Sequence, residues 1–388
     1  MSVRGISRRR FLRQAAAAAS ATCVAPALGT APIGSKNPAA HARGVQAMEE
    51  ALELLAPTGP EFHGRLANHG PMAAQALVAL ERPDSVVAWV ESYRKRLQPH
   101  PPGTRAIDPA GWRESLGDGA RVGDWIVFFG RELAERPWKD VVGTWTARLA
   151  PGVVAAAFHG AIRTAHAVRS LEQTETPARR RELAEGLGYW AATYNALPEA
   201  SPRARSERGR LPSAAVAAVP ILPPERRVSY GNIVDRLAPL NAFPPFASVA
   251  DAVDSSGDSG AFLSDLTETF ASVYVASVPP GSVITFLHGV TGPAAVRTLL
   301  PYISTEQRAE LLRHTWVACA SFLSSSGGKT APAPSSERLP TRDELADRAL
   351  ATADEHAIKF TEACFRENAL NPRSVYARAA ADGVARLG

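Results

Sequence analysis

The sequence predicts an all-α fold, organised as a single large multi-helical globular domain with a central histidine-lined pocket. Apolar residues recur at helical spacing along most of the chain, whereas the alternation that is typical of strands is scarce. Proline and glycine cluster between these stretches and mark them off as separate helices. The apolar fraction of 45% in 388 residues is enough to build a large core.

The predicted helices follow one another with short connections. In the first half of the chain they cover residues 44–55, 70–80, 84–97, 122–134, 138–149, 151–171 and 179–197. In the second half they cover residues 266–277, 293–303, 304–323 and 341–369, with a short apolar run at 283–288 that breaks at glycine. Small residues on most faces of 151–171 indicate a central, closely packed helix.

The longest helical pattern spans residues 341–369. Thr341 and Glu344 have the spacing of a capping box, in which a hydroxyl and a carboxylate satisfy the first free amides of a helix. His356 and Lys359 are three residues apart, so they lie on one side of the helix among small and apolar neighbours. A lysine in such a setting is placed to face inward, where an ammonium ion is costly and the amine tends to lose its charge. Two partly exposed polar residues on an amphipathic helix are the alternative interpretation.

Composition changes set the domain boundaries. Residues 1–42 form an N-terminal segment, and residues 43–388 form the helical domain. Within the domain, residues 198–227 are rich in proline, serine and arginine, and residues 324–340 are a low-complexity stretch of serine, glycine and proline. We predict that both are surface loops of one domain, because neither separates two self-contained halves.

The N-terminal segment has the pattern of an export signal. Residues 7–13 read Ser-Arg-Arg-Arg-Phe-Leu-Arg, which matches the twin-arginine motif, and a weakly hydrophobic, alanine-rich stretch follows. Residues 25–27 and 40–42 each offer a small-x-small cleavage site. We therefore expect the twin-arginine translocation machinery as a partner and a periplasmic or secreted location.

The charge of the chain gives no support to a nucleic-acid partner. The net charge of +5 depends on residues 1–42, which contain six Lys and Arg and no acid, whereas the remainder has 37 Lys and Arg against 38 Asp and Glu. Because the body is neutral, the positive net charge is no argument for a nucleic-acid partner. Beyond the N-terminal segment there is no run of 18 apolar residues, so we expect no membrane insertion of the mature chain.

Cysteine spacing and the common cofactor motifs exclude several classes of protein. Cys319 and Cys364 lie in apolar helical patterns and are predicted to be buried free thiols, with a single bridge between them as the alternative. No CxxC pair or zinc-finger spacing occurs. The motifs GxGxxG, GxxxxGK[ST], GxSxG and HExxH do not occur either, so a doubly wound flavin or nicotinamide domain has no support.

Histidines in small or apolar surroundings are the chemical signal of this sequence. His159 and His166 are seven residues apart and return to nearly the same face of one helix. His288 lies in an apolar run, His69 precedes a helix, and His356 follows two acids. Hydrogen-bonded core histidines are one interpretation of this pattern. A buried iron, zinc, copper or nickel site in a helical core is the other.

Five short motifs contain these histidines and their neighbours. They are NHGPM at 68–72, RVGDW at 121–125, HGAIRTAHA at 159–167, TFLHGVT at 285–291 and DEHAIK at 354–359. With these motifs in this order, the chain resembles the questin oxidase-like family over about residues 50–380.

The resemblance implies an oxidoreductase that uses dioxygen to open the ring of a small anthraquinone-type aromatic substrate. The family reaction is of the Baeyer–Villiger type, with NADPH as a possible co-substrate, and some members hold a mononuclear non-haem Fe²⁺ on histidines and a carboxylated lysine. Carried over to this sequence, the metal ligands are His69, His159, His288, His356 and Lys359.

Two further residues are candidate catalytic groups beside this centre. His166 is a reserve ligand or a partner of a ligand. Glu355, or its neighbour Asp354, is an acid placed to orient an imidazole, and solvated acids are the alternative. Trp125, Tyr189 and Trp190 are expected among the aromatic residues that line the substrate pocket. A metal-free, NADPH-supported Baeyer–Villiger monooxygenase and a non-catalytic periplasmic helical binding protein are the alternative functions.

Overall fold

The computed structural model describes residues 38–63, 65–199, 210–276, 281–328 and 338–388. These residues form an all-α fold, which confirms the predicted class. The predicted twin-arginine motif and the cleavage site at 25–27 lie outside the described residues. Residues 40–42 belong to the first described helix.

The described helices and strands are numbered in chain order. The helices are α1 (Pro38–Leu55), α2 (Gly70–Ala79), α3 (Val86–Tyr93), α4 (Val122–Glu135), α5 (Trp138–Leu149), α6 (His159–Gln173), α7 (Pro177–Ala192), α8 (Pro212–Ala215), α9 (Ile233–Leu237), α10 (Ser259–Ala276), α11 (Val283–Leu299), α12 (Thr305–Ser326), α13 (Arg342–Ala351), α14 (Glu355–Leu370) and α15 (Ser374–Leu387). Short 3₁₀ turns extend or join several of them. Two short strands, β1 (Glu61–Phe62) and β2 (Leu66–Ala67), pair antiparallel as a small hairpin.

Four helices form a closed ring at the centre of the domain. α2 packs against α6, α6 against α11, α11 against α14, and α14 against α2. The other helices cover this ring: α7 lies on α6 and carries α4, α10 and α12 flank α11, and α15 lies along α14. Cys319 and Cys364 are buried in this core as free thiols, as predicted.

Helix α11 is continuous where the sequence predicts a break at glycine. The prediction is wrong because the glycines of α11 serve close packing. A Cβ at Gly289 would lie 2.8 Å from the ring of Phe270, and one at Gly292 would lie 2.6 Å from the ring of Phe158. The stretch Val283–Tyr302 is long and apolar enough to cross a membrane, but 89% of its apolar window is buried inside the protein. It is therefore packed as a core helix.

The predicted helix over 341–369 is two helices, so that prediction is wrong in its continuity. The capping box of Thr341 and Glu344 forms as expected at the start of α13. The chain then turns at Ala353, whose φ is 56°, and α14 begins two residues later as a separate helix. Asp354 caps α14 by accepting hydrogen bonds from the backbone N–H groups of His356 and Ala357. An aspartate that satisfies two free amides stabilises a new helix start at this point.

The two predicted loops contribute to the core at their described ends. Within 198–227, Ala215 and Leu222 are buried, and the Leu222 N–H donates to the Ser324 carbonyl at 2.9 Å. Ser324 itself belongs to α12, which runs on to Ser326.

An ion cluster on α12 gives the fold a predictable pH dependence. His314 Nδ1 lies 2.7 Å from Glu199 Oε1 and its Nε2 lies 3.0 Å from Glu310 Oε1. Only the imidazolium ion can donate to both carboxylates. Burial lowers the pKa of His314, but its hydrogen bonds to Glu199 and Glu310 more than offset burial, so the net pKa is raised above 6.5.

A group whose pKa is raised on folding stabilises the protein fully below its unfolded pKa, and the contribution is lost as pH rises through the folded pKa. We expect His314→Ala to lower the free energy of unfolding by about 1 kcal/mol near pH 6 and by less near pH 9. The interaction with Glu310 adds little to the free energy of unfolding, because the Glu310 side chain is 55% exposed. Thermal unfolding at both pH values measures the difference. The exposed His41→Ala variant is the control, and a deficit for His314→Ala that did not shrink with pH would contradict the assignment.

Candidate metal centre

Each helix of the central ring supplies one histidine to a common point. His69 directly precedes α2, and its backbone N–H donates to the Tyr93 hydroxyl at 2.7 Å. His159 is the first residue of α6, His288 lies on α11, and His356 is the second residue of α14. All four side chains are buried. Residues far apart in the sequence therefore meet because their helices are neighbours.

The four imidazoles contact one another in sequence. The ring of His69 lies 4.5 Å from those of both His159 and His356, and the ring of His159 lies 4.6 Å from that of His288. One ligand nitrogen each from His69, His159 and His356 lies within 4.8 Å of the other two. The rings of His288 and His356 are 6.0 Å apart. The structure thus brings together the four histidines that the sequence predicts as ligands.

Backbone carbonyls fix the tautomers of two of these rings. His159 Nδ1 hydrogen-bonds the Ala156 carbonyl, and His288 Nδ1 hydrogen-bonds the Ile284 carbonyl at 2.5 Å. A carbonyl only accepts, so in both rings Nδ1 carries the hydrogen and, in the neutral ring, Nε2 carries a lone pair. The two Nε2 atoms face each other at 3.1 Å. Two opposed lone pairs repel, and a cation between or beside them removes the repulsion.

Burial keeps three of the imidazoles neutral. The pKa values of His69, His159 and His288 lie well below 6.5, mainly because burial disfavours the imidazolium ion and also because Lys359 is near. Neither ring nitrogen of His69 has a hydrogen-bond partner among the described residues. Buried imidazole nitrogens without partners are the donor set that a borderline metal ion prefers, so the residues present fit a metal.

Two acids border the imidazoles. Glu355 Oε1 lies 3.5 Å from His69 Nδ1 and 3.9 Å from His356 Nδ1, and its Oε2 accepts from Arg96 at 2.5 Å. Burial raises the pKa of Glu355, but His356 and Arg96 offset burial and the net pKa is below 4.5. Asp354 lies 3.4 Å from His356 Nδ1. A carboxylate at this distance from a ring nitrogen is placed to orient the imidazole.

Lys359 and His166 lie behind the imidazoles on the same two ring helices. Lys359 follows His356 by one turn on α14 and is buried. Burial is the main cause that lowers the pKa of its amine to about 8. His166 makes its hydrogen bond elsewhere, from Nδ1 to Gln75 Oε1 at 2.7 Å, and shares with Lys359 a small second cavity of about 10 Å³.

The backbone that precedes His159 is left-handed at three successive residues. Ala156, Ala157 and Phe158 have φ values of 46°, 58° and 68°. Such a conformation costs an ordinary residue roughly 1–2 kcal/mol. Phe158 is held in it because its fully buried ring packs on Gly292 of α11. The prediction of a helix over 151–171 is therefore wrong before His159, and the turn places the Ala156 carbonyl against the ring of His159.

Glycine at the first of these positions should stabilise the protein. Ala156→Gly is expected to raise the free energy of unfolding by about 0.5–1 kcal/mol, because glycine adopts a positive φ without steric cost. The matched change Ala161→Gly, inside α6, should lower the free energy of unfolding by about 1 kcal/mol or more. Calorimetric unfolding of the two variants measures the sign of each change in the free energy of unfolding. A loss of stability in Ala156→Gly would mean that the turn is not strained.

A cavity of about 860 Å³ opens onto His69, His159 and His356. Its remaining lining is largely apolar, with contributions from β1, β2, α7 and α9. This volume lies in the range of small-molecule sites and accommodates a polycyclic ring system. The centre is therefore accessible to a substrate from one side.

Only one of the three aromatic residues predicted to line this cavity does so. Tyr189 lines it, whereas Trp125 and Trp190 lie in the core. The indole N–H of Trp125 donates to the Ser115 carbonyl, and that of Trp190 donates to the Gly152 carbonyl. Both are structural because a buried indole N–H needs an acceptor.

Three residues near the centre were not singled out from the sequence. Tyr93 and Arg96 come from the end of α3 and the turn after it, and Glu61 comes from the β1–β2 hairpin. Tyr93 and Arg96 lie in a helical pattern whose charged residues resemble a solvent-exposed surface, so no local signal marks them.

The fold and the site together define an all-helical protein with four convergent imidazoles beside a large pocket. The chain belongs to the questin oxidase-like family, whose family model matches residues 68–364. The matched range contains every residue that the sequence predicts as a metal ligand. A comparison with curated proteins found no significant match. Membership in the family indicates an oxidoreductase that acts on aromatic substrates.

Proposed function

We propose that the protein is an oxygen-dependent oxidoreductase that opens a ring of an anthraquinone-type aromatic substrate by an oxidation of the Baeyer–Villiger type. In this proposal the chain holds one non-haem Fe²⁺. Its ligands are His69, His159, His288, His356 and a carboxylated Lys359.

The facing imidazoles of His159 and His288 are the observation that supports a metal most strongly. Each ring donates its Nδ1 hydrogen to a carbonyl, which leaves two Nε2 lone pairs 3.1 Å apart in a buried setting. Core histidines with a purely structural role would donate to an acceptor at such a position. A divalent cation accepts both lone pairs and explains the arrangement.

Carboxylation of Lys359 would balance the charge of this ion. Four neutral imidazoles leave a divalent cation uncompensated in a buried site, which is costly. The lowered pKa of Lys359 makes its neutral amine accessible near neutral pH. The amine nitrogen forms a bond to the carbon of carbon dioxide and releases one proton, and the resulting carbamate is an anionic oxygen ligand.

The pocket and the residues beside the imidazoles have separate tasks in this function. Bound Fe²⁺ supplies electrons for the activation of dioxygen. The chain holds the flat substrate in the cavity of about 860 Å³ next to His69, His159 and His356. Glu355 acts as a positioning residue for the His69 and His356 rings. NADPH is a possible co-substrate that would return electrons from solution.

His166 is assigned a supporting role in this proposal. Its hydrogen bond to Gln75 and the small cavity that it shares with Lys359 place it beside the lysine. It therefore acts as a partner of the Lys359 side chain more naturally than as a ligand.

Export is part of the same proposal. The twin-arginine motif at residues 7–13 supports translocation of the folded protein by the twin-arginine machinery to a periplasmic or secreted location. That route accepts folded proteins, so the metal can be loaded before export.

Metal analysis of untagged protein tests the function. We expect close to one iron per chain after purification without an affinity tag, since a tag would bind metal by itself. The metal-free monooxygenase and the helical binding protein require none. Protein that contained no iron and took up none from added Fe²⁺ would refute the proposed centre.

A further inference from the structure

Three carboxylates line the cavity, and Glu61 is the one of them that neither caps a helix nor contacts the imidazoles. Asp354 caps α14, and Glu355 is held by Arg96 and the imidazoles. Glu61, the third carboxylate in the lining, accepts a hydrogen bond at Oε1 from the Tyr189 hydroxyl at 3.1 Å. Its Oε2 makes no hydrogen bond within the described part of the chain. Glu61 Oε2 is therefore an acceptor in a largely apolar lining that is not used by a described residue.

Tyr189 holds Glu61 in a fixed orientation. Tyr189 is 1% exposed and lies on helix α7, and its hydroxyl donates to the β1 carboxylate. Burial is the main cause that raises the pKa of Glu61, against smaller lowering by the Tyr189 hydrogen bond and by Arg65. Arg65 itself is engaged by Asp235 at 2.9 and 3.1 Å. Among the described residues Glu61 forms no ion pair, and the charge of Arg65 acts on it only at longer range.

We propose that Glu61, positioned by Tyr189, recognises a free hydroxyl group on the aromatic substrate by accepting its hydrogen bond at Oε2. A carboxylate accepts but does not donate, so this site favours a phenol over an ether or an unsubstituted ring. A hydrogen bond to this acceptor in a partly dry cavity discriminates by about tenfold. The assignment concerns which substituent of the substrate Glu61 contacts. The inference rests on the proposed function only in taking the cavity as the substrate site.

Two probes of similar size test the preference. 2-Naphthol offers a hydroxyl donor, whereas 2-methoxynaphthalene offers only an acceptor, and calorimetric titration gives a Kd for each. We expect the wild-type protein to bind 2-naphthol about tenfold more tightly. In Glu61→Gln the Tyr189 hydroxyl binds the amide oxygen, so the amide NH₂ faces the cavity and the preference is lost or reversed. Tyr189→Phe should weaken the preference because the carboxylate is no longer held.

The control is Tyr194→Phe, which removes another hydroxyl from the same lining and should leave the ratio of the two Kd values unchanged. Equal binding of both probes to the wild-type protein, no measurable binding of either, or an unchanged ratio in Glu61→Gln would each overturn the inference. These titrations involve no turnover. If the iron assignment fails, metal analysis shows it. If Glu61 does not recognise the hydroxyl group, the ratio of the two Kd values shows it, so the two failures are distinguishable.

Discussion

His159→Ala should remove most of the iron and nearly all oxidoreductase activity. The ring of His159 contacts the rings of both His69 and His288. Its loss therefore leaves a gap between these two imidazoles. Loss of a residue that merely orients a ligand costs roughly 10–100-fold in metal affinity, and loss of a ligand should cost more. A second measurement is thermal stability with and without Fe²⁺. At 100 times its Kd a ligand stabilises the folded state by about 2.7 kcal/mol, and the variant should lose this gain.

The matched control is His100→Ala. His100 lies in a different environment, with Nε2 2.7 Å from Glu185 Oε1, and its loss should leave iron content unchanged. If His159→Ala bound iron as the wild-type protein does, the facing nitrogens of His159 and His288 would need another explanation. One such explanation is a shared proton between them.

The local sequence pattern singles out the four histidines of the centre, but it does not predict that their side chains meet. His69, His159, His288 and His356 each stand in a short motif among small or apolar residues, and that pattern is local. Their meeting depends on which helices are neighbours in the ring, and helical periodicity carries no information about neighbours. Family resemblance supplied the grouping that the pattern could not.

The errors in the helix boundaries have one physical cause, which is packing between distant segments. Gly289 was interpreted as a helix break, yet it gives room to the ring of Phe270. Ala156 and Ala157 favour a helix by their intrinsic propensity, yet the packing of Phe158 holds them in a left-handed turn. Both exceptions lie beside the imidazoles, where tertiary contacts override local preference.

Lys359→Arg should abolish tight iron binding although it keeps a cationic side chain. Arginine remains protonated at any pH that a protein survives and has no free amine to react with carbon dioxide. Without a carbamate the ion faces four neutral imidazoles and a buried cation instead of an anionic ligand. The measurement is iron uptake by metal-stripped protein with and without added bicarbonate. Uptake by the wild-type protein should increase with bicarbonate, and uptake by the variant should stay low in both conditions.

Lys139→Arg, the same exchange on α5 outside the central ring, is the control and should respond to bicarbonate as the wild-type protein does. Comparison of the melting temperatures of the metal-stripped proteins shows whether the larger arginine disturbs the fold, and Lys359→Met provides a neutral side chain of similar length if it does. Tight iron binding by both Lys359 variants would exclude the carbamate as a ligand. The four imidazoles would then hold the metal alone, and Glu355 would be the nearest anion to balance its charge.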